Sequence, residues 1–105
     1  MVYDAQAFAA LADPTRKRVF ELVSEHPRSV AQLVRLLPVS QPAVSHHLRI
    51  LREARLVRAE PRGASNIYQV DPHGLGLMRA WLDRMWDDAL KGFSEEFNKK
   101  EEARP

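Results

Sequence analysis

The sequence predicts one small, mainly α-helical domain that carries a single β-hairpin. Its 105 residues are enough chain for one domain with a modest hydrophobic core and too few for two ordinary domains. Apolar residues recur at helical spacing through most of the chain, whereas residues 56–70 consist of two strand-like runs around a turn. Hydrophobic residues make up 45% of the chain and charged residues 29%, which are the values of a folded globular protein.

Several functional classes are excluded by what the sequence lacks. It contains no cysteine, so it can form no disulfide, no thiolate metal site and no cysteine nucleophile. No run of about 18 consecutive apolar residues is present to span a membrane. The first residues carry neither the basic segment nor the apolar segment of a secretion signal. We therefore expect a cytoplasmic protein.

The charges are distributed unevenly along the chain. The net charge is +2, but residues 14–70 hold ten Lys and Arg against four Glu, an excess of +6. Residues 1–13 and residues 71–105 each sum to −2. A basic centre between two acidic ends indicates that the middle of the chain faces a polyanion such as nucleic acid.

The first third of the chain predicts two helices. The first covers residues 4–12, with Phe8 and Leu11 on one face. Asp13 is a capping residue and Pro14 suits the first position of a helix, so a second helix begins there and runs to about residue 25. The apolar face of the second helix consists of Val19, Phe20, Leu22 and Val23.

A third and a fourth helix follow, separated by a short break. Ser29 is the expected cap of the third helix, which Pro38 ends. Ser40 is the expected cap of the fourth helix, which runs from Gln41 to about Ala54. The spacing of the fourth helix predicts a buried face of Val44, Leu48 and Leu51 and an opposite face of Gln41, Ser45, His46, Arg49 and Arg52.

The period of the pattern changes after the fourth helix. Residues 56–60 and 66–70 are strand-like, and the turn-rich segment 61–65 between them places Arg62 at an exposed tip. A helix-turn-helix over residues 29–54, followed by a hairpin over 55–71, is a winged helix-turn-helix.

The last helix is predicted from about His73 to Phe97, and it completes a single domain over residues 1–97. Its apolar residues cover a face too wide for contact with one small domain, so we expect a second copy of the chain to cover that face. Residues 98–105 are charged and predict a flexible tail. The predicted dimer interface consists of Phe8, Leu11, Met78, Trp81, Leu82, Met85, Trp86, Ala89 and Phe93.

A winged helix-turn-helix is suited to DNA because a helix fits the major groove and its first residues reach the base edges. Gln41 is able to read adenine through two hydrogen bonds. Arginines further along the helix would neutralise phosphates, and Arg62 could enter a minor groove. The predicted DNA contacts are Ser40, Gln41, Ser45, His46, His47, Arg49, Arg52 and Arg62. His47 lies nearer the buried face than His46, so its role could be limited to packing or to a phosphate contact.

Four short segments together carry a family resemblance. They are FAALADPTR at residues 8–16, QPAVSHHLRIL at 41–51, EARLV at 53–57, and Arg62-Gly63 through Tyr68. As a set they resemble the ArsR/SmtB family of bacterial winged-helix repressors. The resemblance implies a homodimer, joined through the first and last helices, that represses transcription from an inverted-repeat operator. The chain departs from the family at Arg55, where glycine is usual before Leu-Val.

The resemblance also bears on metal sensing. Many members bind metal through cysteines at the start of the third helix, and residues 29–33 contain none. A second family site uses Asp and His pairs on the last helix. Here Asp71 and His73 have the required spacing, but Arg84 lies where a second histidine would be needed. Because carboxylates alone bind Zn²⁺ or Ni²⁺ poorly, the chain resembles the metal-site-free, SdpR-like autorepressor branch, and we expect no metal and no cofactor.

Other functions are compatible with the same residues. A non-metal ligand or a protein partner at the dimer interface could release the repressor. A module that binds only protein through the Trp-rich last helix is also possible, although the basic fourth helix favours DNA. Adjacent His46 and His47 point about 100° apart on a helix and do not chelate a metal together. Since no nucleophile elbow or oxyanion loop accompanies Ser45 and His46, we expect no enzymatic activity.

Overall fold

The computed structural model describes residues 2–102 and confirms the predicted mainly α-helical winged helix-turn-helix. These residues form five helices and one antiparallel sheet of two strands. In chain order the elements are α1 (Val2–Ala10), α2 (Pro14–Glu25), α3 (Val30–Leu36), α4 (Gln41–Glu53), β1 (Val57–Arg62), β2 (Ser65–Val70) and α5 (Pro72–Glu102). No helix in this range is both long enough and apolar enough to cross a membrane.

Capping side chains fix the starts of α2, α3 and α4 where the sequence predicts them. The Asp13 carboxylate accepts a hydrogen bond from a backbone N–H of the first turn of α2 at 2.8 Å. Ser29 and Gln32 form a reciprocal capping box at the start of α3. The Ser40 hydroxyl accepts from the backbone of α4 at 3.3 Å. Each cap satisfies an otherwise unpaired N–H and contributes about 1 kcal/mol.

One hydrophobic core holds the helix-turn-helix and the base of the hairpin together. Helix α4 packs against both α2 and α3, and α1 lies along α5. The largest fully buried side chains are aliphatic, and α4 supplies three of them, which fixes its orientation. They are Val19, Val23, Leu33, Val44, Leu48, Leu51, Leu56 and Val57.

Helix α4 ends in a Schellman turn built around Arg55. The Leu56 N–H donates to the Leu51 carbonyl and the Arg55 N–H donates to the Arg52 carbonyl, both at 2.9 Å. Arg55 has a φ of 58°, a left-handed conformation that costs a residue with a Cβ roughly 1 kcal/mol and that glycine adopts freely. The arginine in place of the usual glycine therefore changes the cost of this turn but not its geometry.

The hairpin is tighter than the sequence predicts. Strands β1 and β2 pair over their full length, with Arg62 opposite Ser65, and leave a turn of two residues. Gly63 has a φ of 57° at the first turn position, where a two-residue hairpin favours glycine. Pro61 lies within β1, because both strands of a two-stranded sheet are edge strands and tolerate proline. The predicted loop over residues 61–65 was therefore too long.

Helix α5 is longer than predicted. Its 31 residues rise about 46 Å and extend the protein to 74 Å, against 24 and 22 Å in the other directions. The predicted end at Phe97 was five residues early, so the proposed tail at 98–105 begins within the helix. Residues 98–102 contain no glycine or proline, and Glu95 and Lys99 are spaced four apart, which favours helix. Residues 103–105 lie outside the described range.

Candidate nucleic-acid interface

Helix α4 presents one apolar face to the core and one polar face to solvent. Val44, Leu48 and Leu51 are each 0% exposed, which confirms the predicted buried face. The side chains of the opposite face are all exposed, and they are Gln41, Ser45, His46, Arg49 and Arg52. A helix that displays hydrogen-bonding groups at its start and arginines further along matches the shape and charge of a DNA major groove.

The first two turns of α4 carry the candidate base-reading groups. Ser40 is exposed, and although its hydroxyl oxygen caps the helix, its O–H can still donate to another acceptor. Gln41 and Ser45 lie one turn apart on the exposed face, so their side chains leave the helix in the same direction. Both can donate and accept hydrogen bonds, as the reading of base edges requires.

Arg49 and His46 form a pair on the exposed face of α4. The guanidinium of Arg49 lies 3.0 Å from Nδ1 of His46. Because arginine carries no acceptor, it is the donor of this hydrogen bond and the imidazole is the acceptor. The contact holds the guanidinium over the middle of the helix, where it can meet a phosphate.

His47 does not share this exposed face. It is half-buried, and its Nδ1 lies 3.5 Å from the guanidinium of Arg16 in α2. Arg16 also donates through Nε to the Ala10 carbonyl at 2.6 Å. Burial lowers the pKa of His47, the Asp13 carboxylate opposes that shift, and repulsion from Arg16 and from His46 in its protonated form adds to it. The structure thus places this predicted DNA contact between α4 and the α1–α2 corner.

The hairpin carries Arg62 at its tip. Arg62 is the last residue of β1 and is exposed. Strand β2 is tied to the loop before α3 at Tyr68, whose backbone exchanges hydrogen bonds of 2.9 and 2.8 Å with that of Arg28. The wing is therefore anchored part-way along β2, while its basic tip projects from the domain.

A polar cleft between the wing and the helix-turn-helix was missed by the sequence analysis. It has a volume of about 210 Å³ and lies between the starts of α3 and α4 and strand β2. Ser29, Gln41, Ser65, Asn66 and Tyr68 line it. These side chains can bind a sugar or phosphate through hydrogen bonds without neutralising charge. No local motif marks the cleft, because its residues meet only in the folded chain.

The predicted dimer interface divides into an inner and an outer part. Phe8 packs edge-to-face on Trp81, with ring centroids 5.2 Å apart and planes at 69°, and Leu11 and Met78 pack against the core. These contacts are made within one chain. The remaining predicted residues, Leu82, Met85, Trp86, Ala89 and Phe93, are exposed. Leu75, Leu90 and Phe97 are also exposed on α5 but were not predicted to lie in the interface. Six exposed residues define the outer face of α5: Leu75, Leu82, Trp86, Leu90, Phe93 and Phe97.

The residues considered as metal ligands have structural roles. Asp71 precedes α5, and its carboxylate accepts from the His73 N–H at 3.0 Å, as a helix cap does. Arg84 lies 3.7 Å from the buried carboxylate of Asp4 in α1. Among residues 2–102, no group of three or more His, Asp and Glu side chains is placed to hold a metal ion.

Two helices joined by a short break, an exposed polar and basic second helix, and a hairpin with a basic tip define a winged helix-turn-helix regulator of the DNA-binding class. Comparison with known proteins identifies the family within this class. The chain belongs to the arsR family of bacterial regulatory proteins, whose family model matches residues 13–59.

Two relatives show how similar the chain is to other regulators. The HTH-type transcriptional regulator Rv2034 of Mycobacterium tuberculosis is 48% identical over 90 residues, which cover 86% of this chain and 84% of the relative. The arsenical resistance operon repressor of Escherichia coli is 36% identical over 87 residues, covering 82% and 71%. The chain is thus a transcriptional regulator and not an enzyme.

Solved structures agree with the fold. An ArsR-like transcriptional regulator from Rhodococcus sp. RHA1 superimposes with a TM-score of 0.77 at 29% identity, covering 90% of this chain and 92% of that one. The homodimeric winged helix-turn-helix DNA-binding domain Mb0332 from Mycobacterium bovis superimposes with a TM-score of 0.66, covering 82% and 80%. At 21% identity the second likeness concerns the fold alone.

Proposed function

We propose that the protein is a homodimeric transcriptional repressor that binds an inverted-repeat operator in cytoplasmic double-stranded DNA. The observation that carries the proposal is the exposed face of α4, which combines hydrogen-bonding groups at its start with arginines further along. Two such helices related by a two-fold axis would enter successive major grooves about 34 Å apart. The E. coli relative, an operon repressor, supports repression as the outcome of binding.

A second copy of the chain is the proposed partner of α5. Leu75, Leu82, Trp86 and Phe93 are separated by seven, four and seven residues, which is the repeat of a helix that packs along another helix. Trp86 is 66% exposed and Phe93 is 70% exposed in the single chain. A two-fold copy of the same stripe would remove both from water. The M. bovis neighbour, which shares this fold, is itself homodimeric.

We further propose that repression does not depend on a metal and that the protein represses its own gene, as in the SdpR-like branch. The absence of cysteine from the sequence supports metal independence, because thiolates are the ligands that arsenic and zinc sites favour. The engagement of Asp71 as a cap and of Arg84 with Asp4 also supports it.

Fluorescence anisotropy tests this proposal directly. The purified protein is titrated into labelled duplexes from its own promoter, at two salt concentrations, with and without Zn²⁺. We expect tight binding that resists competitor DNA, weakens steeply with salt and ignores Zn²⁺. Binding no stronger than to random DNA would direct the search to a distant operator or to a protein partner, and release by Zn²⁺ would overturn metal independence.

Gln41→Ala and Ser45→Ala should each lower operator affinity about tenfold and change non-specific affinity by less than about twofold. A lost base contact costs roughly 1–3 kcal/mol at the correct sequence and nothing elsewhere. Parallel titrations with operator and random duplexes measure both effects. Ser24→Ala, an exposed serine of α2, is the matched control. Equal losses on both duplexes would show that these side chains do not read bases.

Arg62→Ala should weaken binding to every sequence about fivefold. The log–log dependence of affinity on salt should become shallower by about one unit, because one phosphate contact is lost. Titrations over a series of salt concentrations measure the slope. Arg18→Ala removes an equal charge from the exposed side of α2 and should leave the slope unchanged. A slope that Arg62→Ala does not change would remove the wing from the interface.

A further inference from the structure

The contact between Arg16 and His47 joins three helices. Arg16 lies in the first turn of α2, donates to the Ala10 carbonyl at the end of α1, and reaches Nδ1 of His47 in the middle of α4. Its own backbone N–H donates to the Asp13 carboxylate, which fixes the start of α2. Helix α4, the proposed recognition helix, is therefore connected through the Arg16 side chain to α1, which packs along α5.

This connection depends on the protonation state of His47. Arginine has only donors, so the contact is a hydrogen bond only while Nδ1 is unprotonated. A protonated His47 would lose this hydrogen bond and place two cations 3.5 Å apart. His46 adds repulsion when it is protonated, and the attraction of the Asp13 carboxylate, which is larger than the repulsion from either cation alone, opposes them. These three groups are the charged neighbours of His47 that the structure identifies.

We propose that His47 is a positioning residue of the DNA interface: in its neutral form it accepts a hydrogen bond from Arg16 and so fixes α4 against the α1–α2 corner. Acid pH then loosens the recognition helix and weakens DNA binding. The inference rests on the proposed DNA-binding function. The proposed role predicts that DNA affinity falls in acid. A direct phosphate contact predicts the opposite, because a histidine that touches phosphate binds more tightly when it is protonated.

The effect of His47 on folding stability changes with pH in the same direction, since acid lowers the stability. Burial lowers the pKa of His47, so near the ordinary histidine pKa of about 6.5 the unfolded chain binds more protons than the folded one. The contribution of neutral His47 to the free energy of unfolding is complete above the unfolded pKa. It is lost as pH falls below that pKa toward the lower pKa of the folded protein. The hydrogen bond from the Arg16 backbone lowers the pKa of Asp13, so loss of stability through Asp13 begins only near pH 4 and below.

The variant that tests the proposal is His47→Asn. The asparagine amide oxygen can take the place of Nδ1 as an acceptor for Arg16, but it does not titrate. The probe is a labelled duplex that the wild-type protein selects from a random-sequence library. Between about pH 7.5 and about pH 5.5, wild-type affinity should fall about fivefold relative to His47→Asn. His26→Asn changes an exposed histidine at the end of α2 and should behave as wild type.

A second measurement on the free protein separates this inference from the proposed function. Imidazole NMR should show neutral His47 protonated at Nε2, and Arg16→Gln should raise its pKa toward the ordinary value. The inference is overturned if Arg16→Gln leaves the His47 titration unchanged, if wild type and His47→Asn share one pH dependence, or if wild type gains affinity over His47→Asn in acid. Failure to select any duplex at neutral pH would overturn the proposed function, whatever the NMR result.

Discussion

Trp86→Lys should convert the proposed dimer into a monomer without unfolding the protein. Trp86 is 66% exposed in the single chain, so the fold itself does not require its side chain. In a two-fold interface the substitution occurs twice and places two buried cations near each other. A tryptophan near the centre of an interface is commonly worth about 2 kcal/mol or more, and the dimer loses two of them. The dimer dissociation constant should therefore rise by roughly 700-fold or more. Sedimentation equilibrium measures the constant.

Leu36→Lys is the matched control for this experiment. Leu36 is 51% exposed at the end of α3, so the substitution adds the same charge at a comparable exposed apolar position away from the outer face of α5. It should leave the dimer intact. Circular dichroism should show the same helix content for both variants. A Trp86→Lys protein that still sediments as a dimer would place the interface elsewhere on the chain.

Dissociation of the proposed dimer should also weaken binding to the operator. A monomer engages one half-site, and the second recognition helix no longer binds at the high effective concentration that the dimer provides. Affinity for the whole operator should therefore fall about hundredfold, while affinity for an isolated half-site should stay within about threefold. A monomeric variant with full operator affinity would contradict a mechanism that uses two recognition helices.

The helix starts and the exposed face of α4 were predictable because their causes are local. Asp13, Ser29 and Ser40 each cap a helix from within a few residues of it. The exposed face of α4 follows from the spacing of Val44 and Leu48 along one helix. Such features depend on neighbours in the chain, which a single sequence displays directly.

Contacts between distant segments were not predictable in the same way. The spacing of α4 places His47 nearer the buried face than His46, but only the packing of α2 against α4 shows that its partner is Arg16, 31 positions away. Phe8 and Trp81 similarly proved to be partners within one chain. The end of α5 was misplaced because a charged helical segment and a charged flexible tail have similar compositions.

The turn after α4 depends on a glycine that lies outside the turn itself, which the sequence does not reveal. Arg55 takes the left-handed conformation there, while Gly74 in the first turn of α5 lies directly against that turn. The Gly74 N–H donates to the Arg55 carbonyl at 2.8 Å. The family usually has glycine at the position with the unusual φ, whereas this chain has a glycine where another backbone approaches closely. The two helices can meet at this distance only because Gly74 has no side chain.

Gly74→Ala should therefore destabilise the protein strongly. A Cβ at this position would lie 2.7 Å from the Arg55 carbonyl oxygen and 2.9 Å from that of Ala54, and both are backbone atoms that cannot rotate away. Relief requires α5 to move off the turn, which weakens the hydrogen bond from the Gly74 N–H to the Arg55 carbonyl. Such overpacking costs about 1–3 kcal/mol, so the unfolding midpoint should fall by roughly 10 °C.

Gly76→Ala, two residues further along α5, provides the matched comparison. A Cβ there meets nothing within 4 Å, and alanine favours a helix over glycine by about 1 kcal/mol. This variant should be more stable than wild type, so the same substitution should have opposite signs at the two positions. Thermal unfolding at one fixed protein concentration measures both, because the proposed dimerisation would make the midpoint depend on concentration. If both variants were stabilised, α5 would not be seated on the Arg55 turn, and the orientation of the proposed dimer helix relative to α4 would have to change with it.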